Sequence, residues 1–234
     1  MCAKPLTPDV VSRNVEAFLD TAEKTPVRFE KPNGRLIFSM DATASRGPSW
    51  DMAMSIQADM FSEASTLGGL EVQLVYYRGL AECRSSGWAQ DATELGRLMS
   101  KVGVLAGRTQ IERILKHTLK EAGRDPINAL VFIGDAMEEN VDLLADAAGQ
   151  LGLRGVPVFM FHEGGGEPAA SAYKHIAKLS DGAYCLFDTS SPGALRALLR
   201  AVAAFAAGGT QALENYSRKH GGPVRQISDQ MAGR

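Results

Sequence analysis

Apolar residues come along this chain in two alternating rhythms. Short, nearly unbroken runs occur at 35–40 (RLIFSM), 70–77 (LEVQLVYY), 127–134 (INALVFIG), 156–161 (VPVFMF) and 183–187, several of them bounded by turn-forming residues such as Asn33-Gly34, Arg78-Gly79 and Asp125-Pro126. Runs of that length and punctuation predict strands. The unbroken apolarity of 127–134 marks a strand covered on both faces. The second rhythm has a spacing of three and four residues. Met54, Ala58, Phe61 and Ala64 carry it through 50–66, where Gly68-Gly69 stops it, and that spacing places them on one helical face.

Further helices are predicted over 91–101 and 110–122, separated by a loop from Gly103 to Gly107, and over 140–151, 169–179 and 192–206, the last with Ser191 as N-cap and Pro192 in first position. A segment at 82–88 carries charge and reads as an edge strand, antiparallel to the strand before it. Strands alternating with helices predict an α/β domain built on a mostly parallel sheet with helices on both faces. This domain spans 35–207. It follows an N-terminal helical extension over 1–34, with an amphipathic piece near 8–22, and precedes a flexible polar tail over 208–234.

Composition narrows the function classes. The formal net charge is -2, so no electrostatic case exists for nucleic acid or anionic lipid as the main partner. Cys2, Cys83 and Cys185 form no CxxC pair, which suggests neither a zinc site nor a disulfide framework and fits a reducing, cytoplasmic setting. No signal-peptide core and no membrane-length apolar run is present, so no membrane role is expected.

The strand ends carry the chemistry. In an open parallel sheet ligands bind outside the carboxyl ends of the strands, where the strand order reverses. The runs ending at Met40 and Gly134 each deliver an aspartate there, Asp41 and Asp135. Either one alone is more simply a helix cap or a turn former. Together they need a cation, a proton or a basic side chain between them, and no Lys or Arg shares the short loop beside Asp135. Thr43 and Ser45 follow Asp41 at alternate positions, and in an extended loop their hydroxyls share the side of the carboxylate. Hard oxygen donors without His or Cys favour Mg²⁺ or Mn²⁺.

Asp41-Ala42-Thr43-Ala44-Ser45 resembles the DxSxS signature of the metal-ion-dependent adhesion site (MIDAS) of von Willebrand factor type A (VWA) domains, bacterial-type. The resemblance implies a six-stranded, doubly wound, Rossmann-like fold. It also implies a threonine in a loop between two helices and an aspartate after the fourth strand, positions held here by Thr109 and Asp135. The metal set it implies is Asp41, Thr43, Ser45, Thr109 and Asp135, with Mg²⁺ or Mn²⁺ as the ion and no catalytic residues. The sequence departs from the signature in having Thr43 for the middle serine and Arg108 for the small residue before the threonine. Arg108, and Arg46 directly after Ser45, place cations near the site, where they would either weaken the metal or receive an acidic partner.

Other features have plainer readings. Gly164-Gly165-Gly166 lacks both GxGxxG and a P-loop ending and reads as a crossover loop. His162 and His175 complete no triad, and His175 reads as a hydrogen-bonded structural histidine. Glu138 and Glu139 suit the first turn of the helix starting near Asn140. Cys83 and Cys185 read as packing residues, and the dispersed cations Arg218, Lys219, His220 and Arg225 as solvated. The function implied is a non-enzymatic protein-binding module, whose metal shell is completed by an Asp or Glu of a partner protein. The alternatives are an Mg²⁺-dependent hydrolase of phosphate esters, for which Thr43 stands where a haloacid-dehalogenase-type DxD needs its second aspartate, and a metal-free scaffold.

Overall fold

A computed structural model of the chain describes residues 34–188, 190 and 192–232. The helix expected over 8–22 and the Ser191 cap lie outside the described residues. The strands are β1 (Gly34–Asp41), β2 (Leu70–Arg78), β3 (Glu82–Ala89), β4 (Ala129–Gly134), β5 (Val158–Glu163) and β6 (Tyr184–Phe187). They form a six-stranded sheet in the order β3-β2-β1-β4-β5-β6. β3 pairs antiparallel with β2, as its charge and position predict, and the other neighbours pair parallel. The chain therefore winds outward from β1 to β3 and returns to β4 on the other side of β1. The strand order reverses between β1 and β4, and the carboxyl ends of those two strands are where such a sheet binds its ligands.

The helices are α1 (Gly47–Ile56), α2 (Ala58–Ala64), α3 (Ala92–Met99), α4 (Ile111–Ala122), α5 (Val141–Leu153), α6 (Ala169–Leu179), α7 (Pro192–His220) and α8 (Pro223–Ala232). Alternate residues of each central strand go to opposite faces, and each face has its own core. Leu36, Phe38 and Met40 of β1 pack with Trp50, Met60, Leu198 and Val202, whereas Ile37 packs with Ile114, Leu144 and Tyr173. Ser39, buried in the middle of β1, donates its hydroxyl to the Val131 carbonyl at 2.7 Å and so leaves no unpaired polar group in the sheet.

Two expectations about the elements change. The single helix read over 50–66 starts earlier, at Gly47, and is divided at Gln57 into α1 and α2. The tail read as flexible over 208–234 is helical and packed as far as Ala232, the last described residue. α7 continues past a break at Gly209, where φ is 68°, and Leu213, Val224 and Ile227 are fully buried. Its apolar side chains are sparse but fall on one face of each helix, and they cover the end of the first core. Gln230 also closes the sheet edge: its side-chain oxygen accepts from the Tyr184 amide at 2.9 Å and its nitrogen donates to the Tyr184 carbonyl at 2.9 Å. A side-chain amide thus stands in for a neighbouring strand beside β6. Among the described residues no helix is long and apolar enough to cross a membrane.

Candidate metal centre

Asp41 is the last residue of β1 and is 1% exposed. One carboxylate oxygen accepts the Thr43 amide at 2.7 Å, which bends the chain back over the strand end. Burial holds the carboxyl above the usual range; hydrogen bonds from Thr43 oppose this, and the charge of Asp135 adds to it. Tyr77, on the neighbouring strand, has its buried hydroxyl beside Asp41 without a hydrogen bond of good geometry. Burial, then the charge of Asp41, pushes that phenol well above its ordinary value. The phenol is therefore neutral beside the carboxylate.

After Thr43 a short 3₁₀ turn, Ala44–Arg46, leaves Ser45 exposed and turns Arg46 inward. The Ser45 hydroxyl donates to Asp135 at a long 3.4 Å. Arg46 is 3% exposed, and its guanidinium lies 3.3 Å from the same Asp135 oxygen, an ion pair without the alignment of a hydrogen bond. It also donates to Ser49 at 2.7 Å and pairs with Glu163 at the end of β5, to which Ser49 donates as well. The basic side chain missing from the Asp135 loop thus arrives from the loop after β1. Of the two roles open to Arg46, reception of an outside acid is excluded by burial. It acts as an internal counter-ion.

Thr109 reaches the site through the loop after β4. Its hydroxyl accepts the Glu138 amide at 3.0 Å, and its own amide points to the Glu138 carboxylate at 3.4 Å. Glu139 accepts from the amides of Ile111 at 2.6 Å and Glu112 at 2.9 Å. Both glutamates therefore serve the amino end of α4, not the helix that follows them in sequence. That helix, α5, is capped by Asn140, which accepts from the Asp142 amide at 2.8 Å.

On the other side His162, fully buried, faces the Asp135 carbonyl at 3.2 Å through Nε2 and the Tyr184 hydroxyl at 3.0 Å through Nδ1. Burial lowers its pKa, partly offset by the Asp135 carbonyl and charge, which favours a neutral ring bracing the Asp135 backbone.

The structure thus brings Asp41, Thr43, Ser45 and Asp135 together at the carboxyl ends of β1 and β4, and ties Thr109 to the loop after β4 through Glu138 rather than by a direct bond to the other four. Glu163 was missed from sequence, although it obeys the strand-end rule that selects Asp41 and Asp135; β5 runs two residues beyond the apolar run that ends at Phe161. His175 is exposed on α6, not a hydrogen-bonded structural residue. Cys185 is buried, and burial pushes its thiol up to about 12; Cys83 is half-buried and also raised by burial, as packing residues are. Among the described residues no cluster of three or more His, Cys, Asp or Glu side chains is arranged for a metal. Any ion here has to draw on hydroxyl oxygens.

The fold is that of von Willebrand factor type A domains. A VWA protein from Catenulispora acidiphila matches with a TM-score of 0.60 and 18% identity over 75% of this chain and 43% of that one. Proximal thread matrix protein 1 from the mussel byssus, in a form with a zinc-occupied MIDAS motif, matches at 0.58 and 14% over 72% of this chain and 45% of that one. The SpRpn10 VWA domain matches at 0.54 and 12% over 69% and 94%. The chain spans less than half the length of the first two. No protein-family model matches the sequence, and no curated protein matches it.

Proposed function

We propose that this chain is a divalent-metal-dependent protein-binding module, in which Asp41, Thr43, Ser45, Thr109 and Asp135 hold Mg²⁺ or Mn²⁺. The observation that carries the reading is the meeting of a buried carboxylate, a second carboxylate and loop hydroxyls at the strand ends where the strand order reverses. The set suits a hard ion: every donor is oxygen, and Asp41 is buried beside a like charge that a cation would relieve. When bound, such an ion supplies a Lewis-acid position open to an outside carboxylate. The protein's own part is to hold the donors in place: Thr43 fixes Asp41, His162 braces Asp135, and Glu138 and Glu139 anchor the Thr109 loop. A partner Asp or Glu would complete the shell, as the resemblance to MIDAS-bearing domains implies.

The test is association with a partner in Mg²⁺ and in chelator, for the native chain and for Asp41→Ala and Asp135→Ala. Binding lost in chelator and in both variants is expected; equal retention in all samples removes the metal from the mechanism. One observation favours a second reading, the metal-free scaffold: Arg46 already pairs with both Asp135 and Glu163. On that reading calorimetry with Mg²⁺ and Mn²⁺ gives no heat of binding.

A further inference from the structure

Beside the proposed metal site, bulky apolar side chains stand in solvent. Leu80 is 78% exposed, Leu105 52% and Val104 40%. Leu80 lies in the turn between β2 and β3; Val104 and Leu105 lie in the loop that leads to Thr109. Exposed apolar residues gathered at one place mark interaction surfaces more often than scattered ones do.

These two segments are held together by their backbones. The Gly79 amide donates to the Leu105 carbonyl at 3.2 Å, and the Arg108 amide to the Gly79 carbonyl at 3.1 Å. Arg78 donates to the Gly103 carbonyl at 2.6 Å. Gly107 lies so close to Gly79 that a Cβ on it would sit 2.0 Å from the Gly79 carbonyl oxygen. The Leu105 amide then donates to the Ala42 carbonyl at 3.0 Å, which ties the patch to the residue between Asp41 and Thr43. Its exposure is thus a property of a tied structure, in register with the metal site.

Between Leu80 and Leu105 is an open depression of about 480 Å³, lined also by Cys83 and Arg84. Glu82, which also lines it, takes both Arg78 at 3.0 Å and Arg84 at 2.8 Å, so this cluster keeps a positive charge in excess. Arg108, by contrast, is exposed and has no ion pair among the described residues. It is adjacent to Thr109. The surface therefore joins a proposed cation, an unpaired arginine and a hollow in which Leu80 and Leu105 stand beside a net positive cluster of Arg78, Glu82 and Arg84.

We propose that this surface receives an acidic loop of a partner protein in which the Asp or Glu is accompanied, within two residues, by a bulky apolar side chain. The acid goes to the metal, with Arg108 adding attraction, and the apolar side chain enters the Leu80–Leu105 hollow. Charge complementarity selects this occupant: Arg108 and the Arg78–Glu82–Arg84 cluster are net positive, Leu80 and Leu105 offer apolar contact, and the exposed carboxylate of Glu138 is turned to the Thr109 amide at 3.4 Å. The proposal rests on the metal-dependent reading above.

The probe is a phage-displayed library of random peptides, selected on the full chain in Mg²⁺ and in chelator, and on a Leu80→Ser/Leu105→Ser variant. Both substitutions lie at exposed positions and leave the site residues in place. Peptides pairing an acid with a nearby Leu, Met or Phe are expected in Mg²⁺ and not in chelator. The variant should bind them about tenfold more weakly, the scale of one buried apolar side chain, with Mn²⁺ affinity unchanged. Acidic peptides with no apolar preference, or indifferent to the variant, overturn this inference and leave the metal reading standing. No Mg²⁺-dependent selection overturns both. Concentration-dependent self-association abolished by the variant would assign the hollow to a second copy of the chain, again overturning the inference.

Discussion

Between Ser45 and Gly47 the backbone turns Arg46 into the protein, where it meets Asp135, Glu163 and Ser49. Its direction was not legible in the sequence, because it depends on a 3₁₀ turn of one residue triplet, Ala44–Arg46. Asp41 and Asp135 were legible, because apolar runs announce where strands end. Arg46→Met would leave two carboxylates without their counter-ion. The metal-free protein should lose on the order of 3 kcal/mol, the lower end for a broken buried pair because Asp135 is about a third exposed. The same change should raise Mn²⁺ affinity by about tenfold or more, since the ion would no longer share Asp135 with a fixed cation. Denaturant melts with and without Mn²⁺ check both, and a fall in affinity with the fold intact would show that Arg46 positions a ligand instead. His117 gives a separate prediction for pH. Burial first lowers its pKa, and Nε2 meets Gln73 at 2.8 Å. The folded state therefore takes up a proton less readily than the unfolded chain, so this histidine's contribution is present above the ordinary value of 6.5 and is lost as pH falls below it. His117→Gln should flatten stability against pH in that window.

At the scale of elements, strands were easier to read than helices and tail. Each central strand buries both faces, so its apolar run is dense; the helices bury one face, and Gln57, itself buried, divides the first without any Gly or Pro to announce it. The tail hid its structure more fully. Leu213, Tyr216, Val224 and Ile227 are few among Gly, Ser and charged residues, yet they complete the core around α7. Gln230 adds the two hydrogen bonds to Tyr184. Gln230→Ala should cost about 1–2 kcal/mol and raise amide exchange at Tyr184 well before that of β1 or β4; unchanged exchange there would show that the edge does not depend on this amide.

For the whole molecule, the order β3-β2-β1-β4-β5-β6 places the candidate site, and an apolar core packs each face of the sheet. The fold should therefore survive removal of metal. Added metal should stabilise it only by mass action, about 2.7 kcal/mol at a hundred times the dissociation constant, and a chain that unfolds in chelator would contradict this. The loops, not the sheet, decide the chemistry, and their sequence signals were uneven: the pentapeptide after β1 was readable, whereas the reach of Glu163 and the clamp of Glu138 on Thr109 were visible only in three dimensions.

The function proposed for this chain stands on a divalent ion held by Asp41 and Asp135 at the carboxyl ends of β1 and β4. Equilibrium titration of the chain with Mn²⁺, followed by the electron paramagnetic resonance of the free ion, tests this most directly when run beside Asp41→Ala and Asp135→Ala. One ion bound per native chain, displaced by Mg²⁺, is expected, with at least a tenfold loss of affinity in both variants. Native and variant chains that take up Mn²⁺ equally, or not at all, would contradict it.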